Sequence, residues 1–184
     1  MLYRPADVFR AIRVDLAENP FSGFAAVIDF WEAHRKNRFA PTLSDFSLME
    51  LGGAIVPQCA LVDVSDDPPG FRYRFFGTGL VNTYGAELTG QTPHDNEPTG
   101  MGWLCTAQYA EVVASREPRF FINSTPTRYG GARPANFLRL PLTDDNGSSV
   151  THILTVEDIS EDWEHLGGYY RALGFEHQQS TLNH

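Results

Sequence analysis

The sequence predicts an α+β fold in which one five-stranded antiparallel sheet curves around inserted helices. Two short apolar, strand-like runs flank the turn-forming string 66–70, and three more lie towards the C-terminal end. The last two of these are joined by Asn146-Gly147, a dipeptide that readily takes the positive φ of a hairpin turn. A segment with helical periodicity separates the two groups of strands. Strands joined by hairpin turns favour an antiparallel sheet over a parallel one.

Composition narrows the class of protein. The 184 residues suit one domain, and 42% hydrophobic and 12% aromatic residues are enough for a packed core. The formal charge of −9 disfavours binding to a nucleic-acid backbone. The N-terminus has no signal-like apolar region, and the longest apolar run, 24–28, is far shorter than a membrane span of ~20 residues. Two isolated cysteines do not form a disulfide framework. We therefore expect a cytoplasmic protein without a nucleic-acid or membrane partner.

Residues 1–53 are predicted to form a helical extension that packs on the core. Apolar residues recur at helical spacing over 1–18 and again over 20–37. Ser44 is placed to cap a short third helix, which Gly52-Gly53 ends. The apolar stripe of the second helix includes Phe24, Ile28 and Trp31. This stripe suits either core packing or a dimer interface, and the sequence leaves both open.

The predicted core spans residues 54–160, and a C-terminal helix and tail follow over 161–184. In the first hairpin, strict alternation predicts Phe71, Tyr73 and Phe75 on one face and the intervening arginines on the other. The remaining elements are predicted by periodicity and by flanking turn residues. They are strands at 59–64, 71–76, 119–125, 135–142 and 150–157, and helices at 80–84, 101–116 and 162–173.

Several local strings resemble those of the PAS (Per-Arnt-Sim) sensor fold. The run FRYRFFGTGLV at 71–81, followed by YGAELTG at 84–90, is similar to the segment that joins the second strand to the first inserted helix in a bacterial family of stand-alone PAS-like proteins. LRLPL at 138–142, before the Asp144–Gly147 turn, resembles that family's fourth strand. The resemblance covers about residues 27–160 and departs from the family at 42–46, where a more charged segment is usual. It implies a sensory or adaptor module that is not an enzyme.

The resemblance places an aromatic-rich cup between the sheet and the inserted helices. These side chains form either a packed core or the wall of a pocket for a small, largely apolar ligand. The predicted ligand-binding residues are Tyr73, Phe75, Tyr84, Trp103, Tyr109, Leu138 and Leu140.

The favoured function is a stand-alone sensory or adaptor module that binds a small ligand, a signalling protein, or both, and dimerises through Phe24, Ile28 and Trp31. The alternative is a small cone-shaped α+β isomerase or hydratase, which would pair a pocket tyrosine with a His or Asp. No catalytic residue and no metal ligand is predicted, and the cofactor stays unassigned. Gly77-x-Gly79 lacks the third glycine of a dinucleotide fingerprint, and a haem would require His94 or His152 to face the cup.

Overall fold

The computed structural model describes residues 11–18, 22–45, 47–66, 69–95, 99–126, 132–158, 170–172 and 174. Three α-helices lie in this part of the chain: α1 (Ser22–Arg35), α2 (Thr78–Tyr84) and α3 (Thr99–Ser115). The strands are β1 (Ala11–Val14), β2 (Cys59–Asp66), β3 (Pro69–Phe76), β4 (Arg119–Pro126), β5 (Ala132–Thr143) and β6 (Val150–Asp158).

One antiparallel sheet contains these strands in the order β1-β4-β5-β6-β2-β3. The predicted α+β class is therefore confirmed, and the helices α2 and α3 lie between the first hairpin and the three-stranded meander, as predicted. Of the predicted C-terminal helix, 162–173, only residues 170–172 are described, and they are helical. The rest of that prediction lies outside the described residues.

The sheet has six strands rather than five because β1 pairs with the edge strand β4. Ile12 lies opposite Ile122, and Val14 opposite Phe120. The prediction of a helix over 1–18 is wrong for this strand, while residues 1–10 lie outside the described part of the chain. An unpaired strand edge exposes a row of N–H and C=O groups that another segment can satisfy. Helical periodicity in a short segment does not reveal that such an edge is available.

Helix α1 packs on the outer face of the sheet, which we define as the face that carries Leu138, Leu140 and Leu142. Phe24 and Trp31 are buried there, Ile28 is half-buried, and the Trp31 indole N–H donates to the Pro141 carbonyl at 2.8 Å. The assignment of Phe24, Ile28 and Trp31 to a dimer interface is therefore wrong, because the apolar stripe of the helix is covered by its own sheet.

The two other helices cover the inner face, and we call the space that they enclose with it the cup. Gly77 begins α2 where the chain passes close to the preceding 3-10 turn, so that an added Cβ would lie 2.3 Å from the Pro57 carbonyl oxygen. Gly85 ends the same helix in the left-handed conformation, with φ 74°. These glycines allow the chain to turn directly from β3 into the helix that closes the cup.

Candidate functional site

Three of the predicted ligand-binding residues lie in the cup. Tyr73 and Tyr109 are buried, and Tyr84 is half-buried beside them. The structure brings these three tyrosines together from β3, α2 and α3, as the sequence predicted. Whether they bind a ligand is not tested by their position and stays a prediction.

The other four residues do not line the cup. Leu138 and Leu140 belong to the outer core under α1, because side chains alternate along β5 and their neighbours Phe137 and Arg139 occupy the inner face. Trp103 on α3 is 69% exposed. The expected positions of these three residues in the cup wall are therefore wrong.

Phe75 is displaced by an irregularity in the first hairpin. Leu61 lies opposite Phe75 while the next residue, Val62, lies opposite Tyr73, so that Arg74 is an extra residue in β3. A bulge of this kind reverses the alternation beyond it. Phe75 consequently packs on the outer core and Phe76 takes its place in the cup. The prediction that Phe75 shares a face with Tyr73 is wrong for this reason.

Arg139 is the residue of the cup that the sequence analysis missed. Its side chain is fully buried on β5. Nε and Nη2 donate to Oε1 of Gln108 at 2.9 and 2.6 Å, and Nη1 donates to the Thr155 hydroxyl at 3.1 Å. Nη2 also lies 3.6 Å from Sγ of Cys105. The signal in the sequence was the alternation of Leu138 and Leu140, which puts Arg139 on the opposite face.

This guanidinium is surrounded by aromatic rings and neutral polar groups, and not by a carboxylate partner. Its central carbon lies 4.3 Å from the ring centroid of Tyr109 and 5.1 Å from that of Phe137, within the range of cation–π attraction. Within the described ranges, no Asp or Glu forms an ion pair with Arg139. Burial acts to lower the pKa of Arg139, but Tyr109, Cys105 and Tyr73 together raise it above its ordinary value. The cup therefore contains a positive charge.

Gln108 links this arginine to Asn123 on β4. Its Nε2 donates to Oδ1 of Asn123 at 2.7 Å, and Nδ2 of Asn123 donates back to Oε1 at 3.3 Å. All three side chains are buried. Buried polar groups that satisfy one another in this way specify a unique packing, and they are costly if one partner is lost.

A second polar contact joins α2 to the sheet. The phenol oxygen of Tyr84 lies 2.6 and 2.7 Å from the two carboxylate oxygens of Glu157, which is buried near the end of β6. Leu80 is the buried residue of this seven-residue helix. The hydrogen bond from Tyr84 is thus a main attachment between α2 and the inner face.

The phenols of Tyr73 and Tyr109 meet at 3.4 Å in the middle of the cup. Burial is the main cause that raises the pKa of each phenol above its ordinary value. Both groups are therefore neutral at physiological pH, and they offer hydrogen bonds rather than a charge. The free space around them is about 20 Å³, which is room for about one water molecule.

The enzyme alternative requires a His or Asp beside Tyr73 or Tyr84. Among the residues described around the cup the carboxylate is that of Glu157, and neither a His nor an Asp lines it. His94 is exposed next to Trp103, with ring centroids 4.6 Å apart, and His152 lies on β6 with Nε2 3.4 Å from Asp63. Neither histidine faces the cup as an axial haem ligand would.

Metal and thiol chemistry have little support in the described residues. They contain no group of three His, Cys, Asp or Glu side chains placed to hold a metal ion. Burial raises the pKa of the Cys59 thiol to about 12, so this cysteine is inert at neutral pH. In the described part of the chain, each helix is too short or too polar to span a bilayer.

A larger space lies outside the cup, and we call it the outer groove. It has a volume of about 730 Å³ and runs between the turn end of the β2–β3 hairpin, the segment 92–94 and helix α3. Phe71 separates this groove from the cup, because its ring packs against that of Tyr109, with the two ring centroids 5.3 Å apart. The molecule thus has a nearly filled cup and, beside it, a groove large enough for a small organic molecule.

No protein-family model matches the chain, and no curated protein matches it in sequence. Among solved structures, it is similar to the PAS domain of Bordetella pertussis BvgS, with 20% identity over 64% of this chain and 88% of that one, and a TM-score of 0.47. It is also similar to the dark structure of the blue-light photoreceptor Aureochrome1 LOV, with 13% identity over 71% and 95% of the two chains and a TM-score of 0.45. An RNA-binding light-oxygen-voltage receptor matches with 11% identity over 91% of this chain and 45% of that chain, with a TM-score of 0.47.

Proposed function

We propose that the chain is a sensory or adaptor module of the PAS type that recognises a small molecule in its cup and transmits the change to a partner protein through α1. One observation carries this proposal. Strand β5 presents the buried Arg139 to the cup, and on its other face it forms the surface on which α1 packs. Membership in the bacterial stand-alone family and a cytoplasmic location remain parts of the proposal.

The cup is suited to recognition because of the groups that it contains. A charged guanidinium surrounded by neutral acceptors and rings is costly to desolvate, and it is stabilised by any ligand atom that accepts a hydrogen bond. The free volume of about 20 Å³ requires that a ligand larger than water displaces part of the cup wall. Helix α2 is the part best suited to move, because it is short and weakly attached. Leu80 is its buried residue, and the Tyr84–Glu157 hydrogen bond is a main contact with the sheet.

The outer face is suited to transmission because α1 is attached to the same strand. Pro141, whose carbonyl accepts the Trp31 indole N–H, is two residues from Arg139. A ligand that favours a different position of β5 therefore also favours a different packing position of α1 on the sheet. Such a ligand shifts the equilibrium only by the difference in its affinity for the two packings.

Native mass spectrometry of the chain purified without additives tests the recognition step. We expect a population with added mass that denaturation releases as a small organic molecule. Arg139→Met retains the volume of the side chain and removes its donors, so the variant should lose the added mass. Arg74→Gln, an exposed arginine of the same sheet, is the matched control and should retain it.

Hydrogen exchange of α1 tests the transmission step. We expect Arg139→Met to change the exchange rates of the 22–35 amides, while Arg74→Gln leaves them unchanged. A wild-type chain that carries no added mass, together with unchanged exchange in α1, would show that the cup is simply a packed core. The cup would then have no sensory role.

A homodimer is also part of the proposal, but it has to use a surface different from the one first predicted. The face of α1 that points away from the sheet carries the exposed residues Ala25, Ala26 and Asp29. Light scattering across a concentration series tests this assembly, and Ala26→Arg should shift it to monomer. A monomer at every concentration would remove dimerisation from the proposal.

A further inference from the structure

We propose that the outer groove is a second ligand site, separate from the cup, and that it binds a small amphipathic organic acid with an apolar body and one carboxylate. The proposal depends on three properties of the described residues: the shape and lining of the groove, the free donors of Arg72, and the charges around them.

The lining of the groove suits an apolar body. Half of the residues that line it have hydrocarbon side chains: Val64, Phe71, Pro93, Ala110, Val113 and Ala114. Its volume of about 730 Å³ falls within the range of sites for small organic ligands, which is about 300–1,000 Å³. The contact between Phe71 and Tyr109 closes it from the cup. A ligand can therefore occupy the groove without displacing Arg139 or the side chains that contact it in the cup.

Arg72 supplies the group that recognises the carboxylate. Its Nη1 donates to the Gly90 carbonyl, which fixes the guanidinium against the segment that runs along the free edge of β3. Within the described part of the chain, Nε and Nη2 of Arg72 have no hydrogen-bond partner. These two N–H groups form the planar fork that binds a carboxylate through two parallel hydrogen bonds.

The charges around Arg72 favour an anion of this kind. None of the described residues that line the groove is Asp or Glu, and the other titratable side chain at its rim is His94. Asp95 lies close to both, but its carboxylate already accepts the backbone N–H and the hydroxyl of Thr92, each at 2.8 Å. The guanidinium of Arg72 is thus the charged group of the described lining, and it complements a single negative charge.

The test titrates the full chain with decanoate, below its micelle concentration, and with decan-1-ol as the neutral analogue. Isothermal calorimetry gives the affinities, and the fluorescence of Trp103 gives the location, because this exposed ring contacts His94 at the rim. We expect decanoate to bind about ten-fold more tightly than decanol, since hydrogen bonds to a charged group supply about that factor. Trp103→Phe should remove the fluorescence change and leave the calorimetric affinity unchanged.

Matched variants separate this site from a nonspecific surface. Arg72→Gln should weaken decanoate binding about ten-fold and leave decanol binding unchanged, while Arg74→Gln on the same strand should affect neither. Ala110→Phe fills the groove from the exposed surface of α3 and should abolish binding of both probes. Circular dichroism verifies that each variant is folded.

The outcomes also distinguish the groove from the cup. Arg139→Met should bind decanoate as the wild type does, whatever its effect on a ligand of the cup. Equal affinities for decanoate and decanol, an Arg72→Gln variant that binds normally, or loss of binding in Arg139→Met would each overturn the proposal. Absence of decanoate binding at millimolar concentration would overturn it as well.

Discussion

The two faces of the sheet use the same strands to build cores that differ in how many buried polar groups they contain. On the outer face, Leu138, Leu140 and Leu142 meet the apolar stripe of α1. On the inner face, the residues that alternate with them include Arg139, and the neighbouring strand adds Thr155 and Glu157, all buried. Apolar burial stabilises the fold directly, whereas buried polar groups repay their desolvation only when every partner is present. The outer face is therefore stabilised mainly by apolar packing, whereas the inner face combines apolar packing with a specific polar arrangement.

Truncation on the outer face should produce the largest effect. Leu140 is fully buried, and Leu140→Ala should lower the free energy of unfolding by about 2–5 kcal/mol, through lost burial and the resulting cavity. Urea denaturation measures the change. Leu140→Met keeps the volume and should cost less than about 1.5 kcal/mol. Equal losses for both variants would contradict the view that apolar packing dominates this face.

Loss of one polar partner on the inner face should produce an intermediate effect. Tyr84→Phe removes the hydroxyl that contacts both oxygens of Glu157, and it should cost about 1–3 kcal/mol because the buried carboxylate loses a donor. Hydrogen exchange should show faster opening of α2 than in the wild type. Protection of α2 that does not change would mean that this contact does not hold the helix.

Replacement of Arg139 by a long apolar side chain should have little effect on stability. Arg139→Met removes the buried charge, and Oε1 of Gln108 keeps the donor Nδ2 of Asn123. We expect the free energy of unfolding to change by less than about 1 kcal/mol or to rise, because the variant no longer desolvates a charge and the groups that lose a partner, Gln108 and Thr155, are neutral. A loss above about 3 kcal/mol in thermal and urea denaturation would show that the arginine is kept for stability, which would break the contrast between the faces.

The smallest expected effect is on the pH dependence of stability, and it arises from His152 at the edge of the outer face. Burial lowers the pKa of His152; Asp63 opposes this shift, and Arg74 adds to it. The unfolded chain therefore protonates this histidine at a higher pH than the folded chain, so its contribution to stability is present above about pH 6.5 and falls as the pH decreases. His152→Gln should reduce the loss of stability between pH 7.5 and 5.5 by less than about 1 kcal/mol. An unchanged pH profile of the urea midpoint would contradict this assignment.

Those parts of the fold that depend on local pattern were predicted correctly from the sequence. The hairpin at 59–76 and the turn at Asn146-Gly147 follow from alternation and turn chemistry. The three tyrosines of the cup were also found, because aromatic residues on strands and helices around a cup point to its wall. Three errors in the cup wall concern orientation: the bulge at Arg74 reversed Phe75, and alternation along β5 sent Leu138 and Leu140 to the outer face.

Arg139 shows most clearly why the site exceeds what the sequence predicts. Four of its contacts come from Gln108 and Tyr109 on α3, Phe137 on its own strand β5, and Thr155 on β6. All but Phe137 are at least 16 positions from Arg139 along the chain. Local pattern assigns a charged residue to the surface, since burial of an isolated charge is costly. Only the assembled cup supplies the rings and acceptors that make its burial possible.

Apart from β1, the order of strands and helices was determined by the sequence itself, since these elements are encoded in periods of two or 3.6 residues and in the turns between them. The tertiary structure alone decided the rest. It decided that Ala11–Val14 forms a sixth strand, that α1 covers its own sheet, and that Arg139 lies within the cup. These three features depend on contacts between residues far apart in the chain, whose free energies arise only when the elements pack together.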